Sequence, residues 1–181
     1  MPLFGPPNID RLKSRLDVKG LIKALDYPKD VTIPTRAVEA LGDLRADAAV
    51  DALIALLGDE NCICHPQVTF ALGEIKAEKA VPVLIARIKD QGISASESEI
   101  FALQNIGQPA VAPLLEVLRE NAQDARQAPV LIKSLEAIGG QAVADGFVDL
   151  ISSSFPALIP HLAEALTGKD DMRVRQRLME V

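Results

Sequence analysis

The side chains best able to do chemistry lie in one short stretch, Cys62-Ile63-Cys64-His65. Zn²⁺ accepts thiolates and imidazoles, so this stretch is a candidate part of a metal site. However, a structural zinc site needs four ligands, usually with Cys-x-x-Cys spacing, and the other histidine, His161, lies far along the chain. Cys64 also occupies a position that Ile33 and Val130 take in the repeating pattern described below. The favoured interpretation is therefore a cysteine in the hydrophobic core.

The rest of the sequence offers little catalytic chemistry. It has no recognisable Ser/His/Asp set and no paired carboxylates. Gly139-Gly140 is typical of a turn rather than of a phosphate-binding loop. We therefore expect no cofactor, and an enzyme is the less favoured hypothesis.

Composition and charge narrow the classes of partner. The 181 residues carry 19 Lys and Arg against 25 Asp and Glu, a formal net charge of −6, without the basic surplus that duplex nucleic acid requires. Residues 1–17 lack the apolar run of a secretory leader, and no later run approaches the ~20 residues that span a bilayer. The two closely spaced cysteines are poor candidates for a structural disulfide. We expect a cytoplasmic protein that binds neither duplex nucleic acid nor membrane.

A pattern of apolar residues recurs every 30 to 32 residues. It reads Val-x-x-Leu-Ile-x-x-Leu, a spacing that places its apolar members on one stripe of an α-helix. Alanine and leucine, with 25 and 23 residues, dominate the apolar content, and both favour helices. The copies begin at Val18, Val50, Val81 and Val111, with a weaker fifth copy at Val143.

A second motif of small and apolar residues ends in glycine and lies between those copies. Its glycines are Gly42, Gly73, Gly107 and Gly139. We interpret each as a left-handed C-cap that ends a second helix and turns the chain into the next unit. A single helix pair cannot bury its apolar stripe alone, so the units must stack on one another. A compact helical bundle with accidental periodicity is the alternative.

These patterns predict an all-α fold, an α-solenoid of about five two-helix repeats with capping helices at both ends. We expect one domain over residues 1–181. Its parts are an N-terminal cap over 1–16, repeats over 17–47, 48–78, 79–108 and 109–140, and a fifth repeat with a C-terminal cap over 141–181.

The repeating unit resembles a known family. The apolar pattern, an Asp-containing turn and the Ala-Leu-Gly motif are similar to HEAT-like repeats of the short variety associated with phycobilisome bilin lyases and found in many bacterial and archaeal proteins. The resemblance covers residues 17–140. In that family, the second helix of each repeat usually begins with a Val-Arg pair. This pair is absent from the first four units of the present sequence. The His-Glu pairs of HEAT-like deoxyhypusine hydroxylases have no counterpart at His65 or His161.

The resemblance implies that the second helices form the concave layer of the solenoid. Counting seven and three residues back from each glycine selects positions opposite the buried stripe. This count predicts an exposed apolar patch of Phe70, Ile100 and Ile132. The polar residues expected around it are Glu39, Glu74, Glu99, Gln104 and Glu136.

An exposed apolar patch with a charged rim is typical of a partner-binding site. We therefore predict a scaffold or adaptor for a protein or peptide, whose acidic rim favours a basic ligand. Burial of the patch against the next repeat and a homodimer contact are alternatives. A further alternative is a bilin lyase-like or other cofactor-handling protein that holds its ligand in the groove along the concave layer of second helices. The chain has few aromatic residues to line such a groove, with five Phe, one Tyr and no Trp.

Overall fold

The computed structural model describes residues 6–59, 62, 64–93, 96–123, 128–152 and 155–166. These ranges contain eleven α-helices and no strand. Residues 167–181, where the C-terminal cap was expected, lie outside them. The helices are α1 (Ile9–Ser14), α2 (Val18–Ala24), α3 (Thr32–Asp43), α4 (Val50–Leu57), α5 (His65–Ile75), α6 (Val81–Gln91), α7 (Glu97–Ile106), α8 (Val111–Glu120), α9 (Ala128–Ile138), α10 (Gln141–Ser152) and α11 (Ile159–Leu166).

The helices from α2 onwards form five antiparallel pairs that stack in chain order. We call the even-numbered members the first helices and the odd-numbered members from α3 the second helices. Each second helix packs against the second helix of the next pair, from α3 through to α11. This arrangement confirms the predicted α-solenoid, because each pair contacts chiefly its neighbours.

The first helices bury the repeating apolar stripe. The leucine three residues after the starting valine is fully buried in the first four copies, at Leu21, Leu53, Leu84 and Leu114. The fifth copy differs because Gly146 stands at this position. The Leu115 side chain of the preceding unit occupies the adjacent space, so that a Cβ on Gly146 would lie 2.2 Å from Leu115 Cδ1. Phe147, also fully buried, supplies the missing volume.

The glycine motif has two different structural roles, and the expectation of four C-caps is half wrong. Gly107 and Gly139 directly follow α7 and α9 and have positive φ, at 86° and 66°, which favours glycine; the ψ of Gly107, −133°, is not that of a left-handed helical residue. Gly42 lies within helix α3 and Gly73 within α5. In those two units Arg45 and Lys76 adopt the positive φ instead, each three residues after the glycine.

Gly42 and Gly73 allow the second helices to touch backbone to backbone. A Cβ on Gly42 would lie 3.0 Å from Ala71 Cα, and one on Gly73 would lie 2.9 Å from Ala102 Cα. Helices α3, α5 and α7 are therefore as close as small residues permit. These close contacts make the second helices the tightly packed layer of the stack.

The next contact, between α7 and α9, is built differently. Gln104 occupies the position equivalent to Gly42 and Gly73, and Ser134 occupies the position equivalent to Ala71 and Ala102. Gln104 Nε2 donates a hydrogen bond to Ser134 Oγ at 3.1 Å. Because a long side chain separates the two backbones here, α9 cannot approach α7 as closely as α7 approaches α5.

We predict that Gly73→Ala destabilises the protein although alanine is the better helix former. Pushing α7 away should cost about 1–3 kcal/mol, against a helix-propensity gain of about 1 kcal/mol. Gly58→Ala is the matched control, since Gly58 is exposed at the end of α4 and its added Cβ would lie 3.5 Å from the Ala55 carbonyl oxygen, an ordinary contact distance. Urea unfolding followed by circular dichroism measures both. Equal free energies of unfolding for Gly73→Ala and Gly58→Ala would contradict the close contact between α5 and α7 as the cause.

Thr69 is a polar residue in an apolar position. It is fully buried on α5, where the equivalent residues of the neighbouring units are Val38, Ile100 and Ile132. Its hydroxyl oxygen has no hydrogen-bond partner within the described part of the chain. A buried hydroxyl without a partner loses its hydration and gains nothing in return.

We predict that Thr69→Val raises the free energy of unfolding by about 1 kcal/mol, because it removes an unpaired polar atom at nearly constant volume. Thr35→Val is the comparison. The Thr35 hydroxyl donates a hydrogen bond to the Val31 carbonyl oxygen at 3.1 Å, and the substitution removes that bond, so this variant should not be stabilised in the same way. Chemical denaturation of both variants tests the difference. A destabilised Thr69→Val variant would show that the hydroxyl is needed.

Candidate functional site

Two phenylalanines stand side by side on the exposed face of the second helices. Phe70 on α5 and Phe101 on α7 are 49% and 43% exposed. Their rings are stacked, with centroids 5.7 Å apart and planes 4° apart. They occupy equivalent positions, each directly before the alanine that touches the preceding helix. We call this pair the aromatic pair.

The aromatic pair exists because two consecutive units place the same residue type at the same position. Tight contact between α5 and α7 then brings the equivalent residues within stacking distance. The neighbouring units carry Glu39 on α3 and Lys133 on α9 at this position, both exposed. The row along the second helices therefore runs acidic, aromatic, aromatic, basic.

The structure corrects two of the three predicted anchors. Phe70 is exposed as expected, but Ile100 and Ile132 are only 4% and 3% exposed and belong to the core. The error follows from the two kinds of glycine. Gly107 and Gly139 lie three residues later in their units than Gly73 does, so the backward count reached the buried side of α7 and α9.

The same correction identifies the residue that sequence reasoning missed. Counting three residues back from Gln104, the true equivalent of Gly73, reaches Phe101. A signal was present in the sequence, because the interval between Gly73 and Gly107 is three residues longer than the interval between Gly42 and Gly73. Aligning the units on Leu41, Leu72 and Leu103 would have revealed it.

The predicted polar rim is only partly exposed. Glu39 and Glu136 are exposed, Glu74 is partly buried, and the partly buried Gln104 holds Ser134. Glu99 contradicts the prediction because it is 3% exposed. Its carboxylate accepts from Arg87 Nε at 2.9 Å and from Ser98 Oγ at 2.9 Å, a buried pair that joins α6 to α7.

An open cavity of about 440 Å³ lies between α3 and α5, beside the aromatic pair. Phe70 and Ala71 form its wall on the α5 side, while Glu39 and Asp43 form its wall on the α3 side. Gly42, Pro66 and Gln67 also line it. The cavity thus combines an aromatic wall with a wall of carboxylates.

The cysteine stretch does not assemble a metal site in the described ranges, where no three His, Cys, Asp or Glu side chains are grouped as metal ligands. Cys62 Sγ and Cys64 Sγ lie 2.6 Å apart as free thiols. His65 Nε2 is hydrogen-bonded to the Asp59 carbonyl oxygen at 2.9 Å. Cys64 is buried as predicted, and this burial, followed by the hydrogen bond with Cys62, raises the pKa of Cys64 to about 12.

We predict that Cys64 resists alkylation in the folded protein. At pH 8 its thiol is protonated and buried, so iodoacetamide should modify Cys62 first, and Cys64 should react readily only in urea. The contribution of the Cys64 thiol to folding stability should be fully present below pH 9 and fall as the pH rises towards 12, because in that window only the unfolded thiol ionises. Peptide mass spectrometry measures the reaction. Equal rates at both cysteines in the native protein would contradict this prediction.

The fold and the exposed face define a helical repeat protein with an accessible aromatic pair. Residues 18–96 match the family model of HEAT repeats, a segment that begins at α2 and ends before α7. The comparison with curated proteins gives no match. None of the helices in the described ranges has the length and apolar character needed to cross a membrane.

Among solved structures, the chain is similar to an engineered protein whose crystal structure comes from the Northeast Structural Genomics Consortium. The TM-score is 0.52 at 16% sequence identity, over 97% of this chain and 54% of that chain. The chain thus spans about half the length of that protein. At this identity the likeness concerns the fold alone.

Proposed function

We propose that the protein is a non-enzymatic cytoplasmic scaffold that binds a protein or peptide on its second helices. The aromatic pair carries this proposal. Two neighbouring stacked rings, each nearly half exposed, form an apolar platform of the kind that dominates protein interfaces. The match of residues 18–96 to HEAT repeats supports it, since such repeats commonly mediate protein interactions.

The surroundings of the aromatic pair favour a partner with basic character. Glu39 is exposed on one side, and Glu74 lies one helical turn beyond Phe70 on α5. Neither carboxylate forms an ion pair with another described residue. Unpaired carboxylates around an apolar centre select a partner whose charge is complementary.

Site-directed photo-crosslinking tests this proposal. A benzophenone side chain is placed at Phe70, at Phe101 or, as a control, at Ala86, an exposed residue of the first-helix layer. In extracts of the source cells, we expect the first two positions to capture the same protein and the control position to capture none of it. Crosslinks between two copies of the chain alone would favour the homodimer and reject the partner site.

The captured protein then allows a quantitative prediction. Phe70→Asp and Phe101→Asp should each weaken its binding by at least about tenfold, because each places a charge at the centre of the interface. Val130→Asp is the matched control, since Val130 is an exposed apolar residue on α9, 42% exposed and outside the aromatic pair. Circular dichroism confirms folding of all three variants. Unchanged affinity in both Phe variants would refute the proposed function.

The bilin lyase-like alternative shares this groove and makes a separate prediction. A protein that handles an open-chain tetrapyrrole absorbs visible light when purified from its own source with the ligand bound. An absorbance spectrum of that preparation therefore separates the two functions.

A further inference from the structure

We propose that the cavity between α3 and α5 receives an arginine side chain of the partner. This inference rests on the proposed function and adds the chemical identity of one contact residue. The guanidinium would lie against Phe70 and donate hydrogen bonds to Glu39 and Gln67.

Two side chains that line this cavity, Glu39 and Gln67, have acceptor oxygens that no other described residue engages. The exposed Glu39 carboxylate forms no ion pair with another described residue. The side-chain oxygen of Gln67 is buried, and no described group donates a hydrogen bond to it. Gln67 lines the cavity, so a rotation of its side chain would present this oxygen to an incoming N–H group and end the cost of leaving it unpaired. Asp43 is already engaged by Lys13 and therefore contributes less to the attraction.

The aromatic wall is formed by a ring that has a neighbour on one side only. Phe101 stacks beside Phe70 from α7, with nearly parallel ring planes and centroids 5.7 Å apart. Phe70 also lines the cavity on the α3 side. A cation in the cavity therefore meets an aromatic ring that already stacks with a second ring, an arrangement that favours cation–π contact.

The geometry favours arginine over lysine. A guanidinium is planar, stacks on aromatic rings and carries five N–H donors, so it can contact Phe70, Glu39 and Gln67 together. A lysine ammonium is a compact, strongly hydrated charge that loses more hydration in such a cavity. The net charge of −6 also favours a basic ligand before contact is made.

The test uses small probes and does not require the partner. Nα-acetyl-arginine amide, its lysine analogue and its neutral citrulline analogue are titrated into the isotope-labelled protein and followed by NMR. We expect the arginine probe to shift the Gln67 side-chain amide signals and to bind at least about fivefold more tightly than either analogue.

Two variants and one control assign the effect to this cavity. Glu39→Gln should remove the preference for arginine over citrulline. Phe70→Leu, which keeps the site apolar, should weaken arginine binding about threefold while changing citrulline binding less. Glu136→Gln is the matched control, because it removes an exposed carboxylate from α9 and the same unit of charge. It should leave the preference intact.

The outcomes separate this inference from the proposed function. Equal binding of arginine and citrulline, or an equal loss of preference in Glu39→Gln and Glu136→Gln, would overturn the arginine site. Equal binding of arginine and lysine would overturn the guanidinium assignment. In each case the crosslinks at Phe70 and Phe101 would still stand. Failure of the crosslinks, with arginine selectivity retained, would instead overturn the scaffold.

Discussion

Direct contact between the backbones of successive second helices is the constraint on which the rest of the structure depends. Gly42 against Ala71 and Gly73 against Ala102 leave no room for a further methyl group. This contact sets the spacing of α3, α5 and α7, brings Phe70 to Phe101, and fixes the distance between the two helices that border the cavity beside Phe70. A helix pair with larger residues at these positions would place the same two rings too far apart to stack.

The buried stripe of the first helices could be predicted from sequence because its signal is local. Residues three and four apart share one side of a helix whatever the neighbouring helices do. That is why the leucines Leu21, Leu53, Leu84 and Leu114 were expected in the core and are found there. The fifth copy follows the same repeat. Gly146 stands where the other copies have the buried leucine, and the large Phe147 side chain next to it fills the space instead.

The exposed face of the second helices could be predicted only in part because it depends on register. Glycine serves as a turn residue at Gly107 and as a packing residue at Gly73, and residue type alone does not distinguish these roles. Phe70 was found because its own glycine belongs to the packing kind. The burial of Glu99 could not be foreseen, since it depends on Arg87, which another helix supplies.

Gln104 and Ser134 stand where the earlier units have glycine and alanine, and this difference affects how cooperatively the units unfold. In a stacked array, each unit is held by its neighbours, and the contact between units decides how far unfolding spreads. The first three second helices are joined by close packing, whereas α9 is joined to α7 through a side-chain hydrogen bond. Partial unfolding would therefore stop at this boundary, and the units that carry the aromatic pair would stay folded as one block while the units after it open.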